Sequence, residues 1–222
     1  MPKKWMLFIG LIFMILLLTA CSSPIDRGIQ QESAVTAADI PNEPSQNDIK
    51  NAISNSPSNQ VDAIIAANFP LIDTVTEDGT SAQIYATTQF GLSELSSVLT
   101  SNVQPDEKSE VIDDQQVFIY PDYFVTLKPS EADEDVLLIE VASETFVERN
   151  YSPSFLQTYF TIRMLDSLFG NNWTNRRTQA CLTGDCYGGY SGGSAKSSKK
   201  SIFGTPGRGS SSFRGGGTGF GK

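Results

Sequence analysis

Residues 116–142 read QVFIYPDYFVTLKPSEADEDVLLIEVA, and this stretch decides the fold. It contains three runs rich in β-branched and aromatic residues, which are Gln116–Tyr120, Tyr123–Lys128 and Val136–Ala142. The turn-forming segments Pro121–Asp122 and Pro129–Asp135 separate these runs. Short apolar runs bounded by such residues are typical of consecutive antiparallel strands. The stretch therefore predicts an antiparallel meander.

The sequence before the meander predicts a hairpin and three helices. Leu71–Glu77 alternates like a strand, and Asp78-Gly79 then precedes Ser81–Thr88, which favours a β-hairpin. A first helix is predicted to start at Ser45, with Asp48 completing a capping box. Two more helices are indicated by apolar residues at helical spacing, namely Val61, Ile64, Ile65, Leu92, Leu95, Val98 and Leu99.

The sequence after the meander predicts one amphipathic helix. Ser152 is a suitable N-cap, Pro153 stands at the first helical position, and Gly170 can end the helix. Its apolar stripe comprises Phe155, Leu156, Tyr159, Phe160, Leu165, Leu168 and Phe169. The fold is thus predicted to be α+β, a small single domain with a mostly antiparallel sheet and a C-terminal amphipathic helix.

Composition divides the chain into four parts. Residues 1–20 are predicted to be a signal peptide, residues 21–46 a flexible tether, and residues 47–186 the folded domain. Residues 187–222 contain twelve glycines, eight serines, six Lys or Arg and no acid. Such a segment cannot bury a core, so it is predicted to be a disordered basic tail.

The amino terminus predicts export and lipidation. Lys3 and Lys4 precede a run of mainly apolar residues, Trp5–Leu18, which is shorter than the roughly 20 residues that cross a bilayer. Leu18-Thr19-Ala20-Cys21 resembles the signal of bacterial lipoproteins. The resemblance implies cleavage before Cys21, a diacylglycerol on its sulfur, and an extracytoplasmic protein anchored in the lipid bilayer of the cell membrane. An ordinary cleaved signal and an uncleaved membrane anchor are the alternatives.

The folded part also resembles a known family. Phe118-Ile-Tyr-Pro-Asp122, Ile139-Glu-Val141 and Arg149-Asn-Tyr-Ser-Pro153 are similar to segments of a domain-of-unknown-function family of small bacterial lipoproteins. Members of that family also end in a glycine- and serine-rich tail. The resemblance covers roughly residues 60 to 190 and implies no activity, so it assigns no functional residue.

Cys181 and Cys186 are predicted to form a local disulfide. Export places them in an oxidising environment, and Gly184-Asp185 can provide the bend that a small ring needs. A redox pair, half of a metal site and two free thiols are the alternatives. The disulfide and the lipid on Cys21 together account for all three cysteines.

The chain has a formal net charge of −9 and no histidine. Without histidine there is no Ser-His or Cys-His catalytic pair and no histidine-containing zinc site. The charge is unevenly distributed, because the tail carries +6 and the segment before it is strongly acidic. Carboxylate chemistry is not excluded by this composition.

Several acidic residues are candidates for chemistry, each with a simpler interpretation. Glu131, Asp133, Glu134 and Asp135 could collect calcium, but their spacing matches no EF-hand and favours a solvated turn. Asp113 with Asp114, or Glu144 with Glu148, could form a glycosidase pair only if a cleft separates the two carboxylates suitably. The sequence predicts no catalytic residue, no metal site and no cofactor.

Cationic and aromatic side chains give further candidates. An anionic ligand could be held by Arg163, Arg176 and Arg177, although an exposed helix face and loop account for them as well. A carbohydrate site could use Trp173, Tyr187 and Tyr190, although Trp173 is expected to pack beside the last helix. Ser197-Ser-Lys-Lys200 matches the S-x-x-K pattern of acyl enzymes but lies in the tail, where no helix holds the lysine against the serine.

The tail predicts contact with anionic material. Its candidate contacts are Lys196, Lys199, Lys200, Arg208 and Arg214. Arginine, glycine and phenylalanine together resemble nucleic-acid-binding segments, but export argues against nucleic acid as a partner. Acidic lipid or an anionic wall polymer would attract the same charge, and a solubilising spacer or contact with the acidic domain are alternatives.

The sequence as a whole favours a lipid-anchored accessory or binding protein of the cell envelope without catalytic activity, acting with an envelope or membrane-protein partner. An envelope hydrolase that uses carboxylates is one alternative. Electrostatic attachment through the tail is another.

Overall fold

The computed structural model describes residues 35–183 and 186–190. In this part of the chain six strands form one sheet, with the order β1-β2-β6-β5-β4-β3 once numbered along the chain. The strands are β1 (Leu71–Glu77), β2 (Thr80–Thr87), β3 (Glu107–Lys108), β4 (Gln116–Ile119), β5 (Tyr123–Pro129) and β6 (Leu137–Ser143). All five pairings are antiparallel. The predicted meander is confirmed as β4-β5-β6, and the predicted hairpin as β1-β2.

Seven α-helices accompany the sheet within the described residues. They are α1 (Gln46–Ser54), α2 (Val61–Asn68), α3 (Leu92–Asn102), α4 (Glu144–Asn150), α5 (Pro153–Tyr159), α6 (Ile162–Leu168) and α7 (Trp173–Thr183). The Ser45 hydroxyl accepts a hydrogen bond from the Asp48 N–H and caps α1 as predicted. The Asp48 carboxylate accepts from the Ser45 hydroxyl instead of the Ser45 N–H, so the predicted capping box is incomplete. Of the helices in these residues, none has the length and hydrophobicity needed to span a membrane.

Helices cover both faces of the sheet, and β6 explains why. Six of its seven residues are buried, and successive side chains of a strand point to opposite faces. Leu137 and Ile139 pack with α1–α3, whereas Leu138 and Ala142 pack with α4–α7. A continuous apolar run is typical of a strand that is buried on both faces. The result is a three-layer α+β domain, which confirms the predicted fold class.

The folded domain begins before residue 47. Val35 is only 4% exposed and lies in the core between the sheet and α4–α7. The Ser130 hydroxyl donates to the Val35 carbonyl at 2.6 Å, and the Ala37 N–H donates to Asp133 Oδ2 at 3.0 Å. The predicted tether was therefore wrong for residues 35–46. Its polar composition is compatible with packing because side chains of the β5–β6 loop satisfy its backbone groups.

The domain also ends after the predicted boundary at residue 186. Tyr187 forms a parallel bridge with Tyr151, in which Tyr187 N–H donates to Asn150 O at 2.8 Å and Ser152 N–H donates to Tyr187 O at 2.7 Å. Tyr190 is 3% exposed. Residues 187–190 were thus wrongly assigned to the tail, because glycine-rich composition outweighed two aromatic anchors. The rest of the predicted tail lies outside the described residues.

The predicted C-terminal helix is two helices, α5 and α6, and a third helix, α7, follows Gly170 where the sequence predicted a loop. Phe160 leaves the helical region with φ −134° and ψ 155°, and the Thr161 hydroxyl then accepts from the Met164 N–H to cap α6. Threonine at this position offers the backbone an alternative to helix continuation. The predicted capping role of Ser152 was wrong, because its hydroxyl bonds to that of Ser154 instead.

Gly189 provides a direct test of how residues 186–190 pack. Its φ is +90°, and a Cβ added there would lie 3.1 Å from Cζ of the Phe155 ring. We expect Gly189→Ala to lower the free energy of unfolding by about 1–2 kcal/mol, because alanine resists positive φ and the ring must move. Chemical denaturation measures the change. Gly188→Ala is the matched control, since no atom lies within 4 Å of its added Cβ. Equal effects of the two substitutions would contradict this packing.

Candidate functional site

The most unusual polar residue of the described domain is Glu140, a carboxylate in the middle of the central strand. It is 3% exposed. Its neighbours across the sheet are Ile84 on β2 and Thr126 on β5. Its side chain points to the α4–α7 side, since it stands between Leu138 and Ala142 in the alternation of β6. A buried acid needs hydrogen-bond donors around it, and their identity defines the site.

Two tyrosines supply those donors. Tyr151 is the residue directly after α4, and its hydroxyl donates to Glu140 Oε1 at 2.7 Å. The Tyr190 N–H donates to Oε2 at 3.1 Å, and the Tyr190 hydroxyl reaches across to Asp73 on β1 at 3.1 Å. The Tyr187 hydroxyl is buried beside the same carboxylate, but it makes no hydrogen bond of normal distance and angle. We call Glu140, Tyr151, Tyr187 and Tyr190 the Glu140 cluster.

The surrounding residues hold the cluster together through backbone and covalent links. Cys181 at the end of α7 and Cys186 are joined by a disulfide, with their Cα atoms 5.4 Å apart. Arg177 donates through Nε to the Tyr151 carbonyl at 3.2 Å and contacts the Cys186 sulfur at the same distance. Both ends of residues 186–190 are therefore fixed, one by the disulfide and the other by Glu140.

Aromatic packing completes the environment of the cluster. The Tyr151 ring meets the rings of Phe146, Phe155 and Tyr187 at centroid distances of 6.0, 5.5 and 5.0 Å. Rings in tilted or edge-on contact add to the stabilisation from buried area. The carboxylate is thus enclosed by aromatic rings and sheet side chains, away from water.

Burial shifts the proton affinities of the cluster. Loss of solvation raises the pKa of Glu140, and hydrogen bonds from Tyr151 and Tyr190, together with the charge of Lys128, oppose the shift. Burial and the adjacent Glu140 raise the pKa of Tyr151 well above its usual value. Burial lowers the pKa of Lys128. Each direction follows from the cost of holding a charge away from water.

The geometry supports a structural role for Glu140. Both of its oxygens are engaged by groups of the protein, and its side chain is enclosed. A general acid must reach a substrate proton within hydrogen-bonding distance, and an enclosed carboxyl cannot do so. What the cluster does is to fasten residues 186–190 to the central strand.

The acidic candidates from the sequence lie elsewhere. Asp133 is used internally, because it accepts from the N–H groups of Ala37 and Asp135. Glu131 lies 4.0 Å from Lys128 in an ion pair. Nowhere in residues 35–183 and 186–190 do three or more potential ligands gather into a metal site.

The two predicted carboxylate pairs are at the surface. Asp113 and Asp114 both have positive φ, 50° and 55°, in the exposed turn before β4. Glu144 and Glu148 lie one turn apart on α4, and burial together with Glu148 and Asp122 raises the pKa of Glu144. The two carboxylates of each pair lie on the same turn or helix, so in neither pair do the two carboxylates face each other across a cleft.

The cationic and aromatic candidates divide between core and surface. Arg163 and Arg176 are exposed, whereas Arg177 is half-buried and engaged with Tyr151. Trp173 packs against Phe169 with ring centroids 4.5 Å apart, and its indole N–H donates to the Glu148 carbonyl at 3.0 Å. Tyr187 and Tyr190 belong to the Glu140 cluster rather than to an open aromatic site.

An open cleft of about 410 Å³ lies at the junction of α5 and α6, lined by residues 157–162. Its lining contains no carboxylate, lysine, arginine or cysteine, and its one titratable side chain is Tyr159. The remaining predicted site residues lie outside the described residues, namely Cys21, Lys196, Lys199, Lys200, Arg208 and Arg214.

Glu140 was missed as a special position from the sequence. The available signal was its place in Val136–Ala142, where Leu138 and Ala142 mark the same inward face. A charged residue at an inward position of a central strand is rarely buried without partners. Its partners lie eleven to fifty residues further along the chain, so the pattern of one strand does not reveal them.

Residues 50–220 match the family described as "Domain of unknown function (DUF4247)". The match covers more than half of the chain, which therefore belongs to this family, and it confirms the predicted membership in a family of unknown function. No curated protein and no solved structure matches the chain.

Proposed function

We propose that this member of the DUF4247 family is a lipoprotein anchored outside the cytoplasm through Cys21, whose domain is a non-catalytic binding or accessory module of the cell envelope. The observation that carries the proposal is Leu18-Thr19-Ala20-Cys21 directly after an apolar run and a basic start. Two or three acyl chains hold a protein stably in a bilayer, where one would hold it only marginally.

The disulfide between Cys181 and Cys186 supports export independently of the signal. Disulfides persist in oxidising compartments and are rare in the cytosol. The bridge closes a ring directly before the residues that bind Glu140. An oxidising location would therefore preserve the disulfide that fixes residues 186–190 against the domain.

The Glu140 cluster supports a module that binds rather than catalyses. Both oxygens of its single buried acid, Glu140, accept hydrogen bonds from tyrosines, so this carboxylate has a structural role. The α5–α6 cleft and the exposed side chains of the outer helices offer contact surface instead. Partner recognition through such surfaces needs shape and charge complementarity, and no proton-transfer group.

Cys21→Ala tests the anchor. We expect the variant to incorporate no labelled fatty acid in its native host, because the acyl attachment atom is gone. The matched control is Cys181→Ser with Cys186→Ser, which changes two cysteines and leaves the signal intact. Fatty-acid incorporation that persists in the Cys21→Ala chain would defeat the proposal.

A further inference from the structure

The helical layer α4–α7 differs in charge from the rest of the domain. Residues 144–183 contain three acids and four arginines, whereas residues 35–143 contain nineteen acids and three lysines. The part of the domain before α4 is therefore strongly acidic, whereas the layer α4–α7 is nearly neutral. A body with this distribution turns its neutral or cationic side toward an anionic surface.

The same layer exposes large apolar side chains. Ile162 is 52% exposed, Leu168 36% and Leu182 74%. Among described residues the other exposed large hydrophobics are Leu71 and Val111, on strand β1 and beside strand β3. Exposed apolar side chains beside cations are the composition of surfaces that lie at a lipid interface.

Three arginines of the layer are exposed, namely Arg149, Arg163 and Arg176, and none of them forms a salt bridge in the described part of the chain. The charge of Arg176 also lowers the pKa of Asp166. Arg177 is not part of this surface, because it is engaged with the Tyr151 carbonyl. The layer thus carries three exposed guanidinium groups together with its apolar side chains.

Both chain ends of the domain meet this side of the sheet. Val35 and Tyr190 lie in the core cluster beneath α4–α7. Thirteen residues, 22–34, separate Cys21 from Val35, so the attachment point of the layer is at most about 50 Å from the anchor. Beyond Tyr190 follow six Lys or Arg residues without an acid.

We propose that the exposed surface of α4–α7 rests on the anionic lipid bilayer that holds Cys21. This rests on the proposed lipid anchor. The anchor keeps the layer at high effective concentration near lipid, so a weak contact is sufficient. The basic tail is not the occupant of the surface, because a +6 segment has no electrostatic attraction to a layer with a net positive charge.

Depth measurement on the full lipidated chain tests the contact. A nitroxide is placed at Ile162→Cys, and a second sample carries it at Ser101→Cys on α3, on the opposite side of the sheet. Cys21 is lipidated and Cys181 is bridged to Cys186, so the new thiol reacts alone. The vesicles are phosphatidylcholine with phosphatidylglycerol, compared with phosphatidylcholine alone.

We expect the label at 162 to gain oxygen accessibility and lose access to a water-soluble nickel chelate in the anionic vesicles only. The label at 101 should stay in water in both. Arg176→Glu should reduce the lipid-contacting fraction about fivefold to tenfold, since each basic residue near an anionic surface adds measurable attraction. Lys108→Glu, which makes the same charge change in the acidic part, should have little effect.

Each other outcome overturns the contact. A label at 162 that remains as accessible to nickel as the label at 101 contradicts it. Shielding at 162 that is equal in neutral vesicles and rises with protein density would assign the surface to a second copy of the chain. Intact mass separates the two proposals: a chain without diacylglycerol on Cys21 defeats the anchor, whereas a lipidated chain with residue 162 in water defeats only the surface.

Discussion

Tyr151→Ala is expected to lower the free energy of unfolding by about 3–5 kcal/mol, the range for removing a large buried aromatic side chain. Tyr151 is 1% exposed and is the largest fully buried side chain of the described domain. Its loss leaves a cavity between Phe146, Phe155 and Tyr187 and removes the hydroxyl that donates to Glu140. Urea denaturation followed by circular dichroism measures the change.

Tyr151→Phe separates the hydroxyl from the ring. It keeps the packing and leaves Glu140 Oε1 without its donor, so we expect a loss of about 1–3 kcal/mol. If both variants lost the same amount, the ring would contribute nothing beyond the hydroxyl. That result would be incompatible with three ring contacts at this site.

Glu140→Gln is expected to destabilise the domain by about 1–3 kcal/mol near pH 5, because the amide nitrogen cannot accept from the Tyr190 N–H. Burial raises the pKa of Glu140 above its ordinary value of 4.5, so the folded state binds the proton more tightly than the unfolded chain. The stability that this proton contributes is present in full below pH 4.5. It declines as the pH rises from there through the folded pKa, by at most about 1.4 kcal/mol per pH unit.

The difference in unfolding free energy between the parent and Glu140→Gln should therefore shrink as the pH rises above 4.5. Denaturation at a series of pH values measures it. The matched control is Glu148→Gln, which makes the same substitution at an exposed acid on the outer helix α4. A constant difference across the series would show that Glu140 titrates alike in the folded and unfolded states.

Most elements of the sheet could be predicted from the sequence because their signals are local. The alternation in Leu71–Glu77 and the turn at Asp78-Gly79 specify a hairpin, and positive φ at both turn residues, 49° and 74°, fits that expectation. The apolar run Val136–Ala142 likewise specifies a buried strand. Such patterns are contained within eight residues or fewer.

The break between α5 and α6 was not predictable from the apolar stripe. Phe155 to Phe169 keeps near-helical spacing across the break, and a single threonine cap at Thr161 ends one helix and begins another. Capping side chains compete with helix continuation by amounts near 1 kcal/mol, and packing on the sheet decides between the two.

The Glu140 cluster was not predictable because its members are distant along the chain. Glu140 and Tyr190 are fifty residues apart, and Tyr190 and Asp73 are 117 apart. Composition assigned Tyr190 to the tail, since glycine and serine dominate its neighbourhood. Only the paired geometry of Tyr187 with Tyr151 brings these residues onto the central strand.

The bridge between Tyr187 and Tyr151 also determines when the domain can be completed. A chain that emerges from its amino terminus presents the whole sheet before residues 186–190 appear, and until then the carboxylate of Glu140 lacks its Tyr190 donor. Contacts this distant in sequence form late and slowly. A chain that emerges in extended form would thus stay incompletely closed until Tyr190 had emerged.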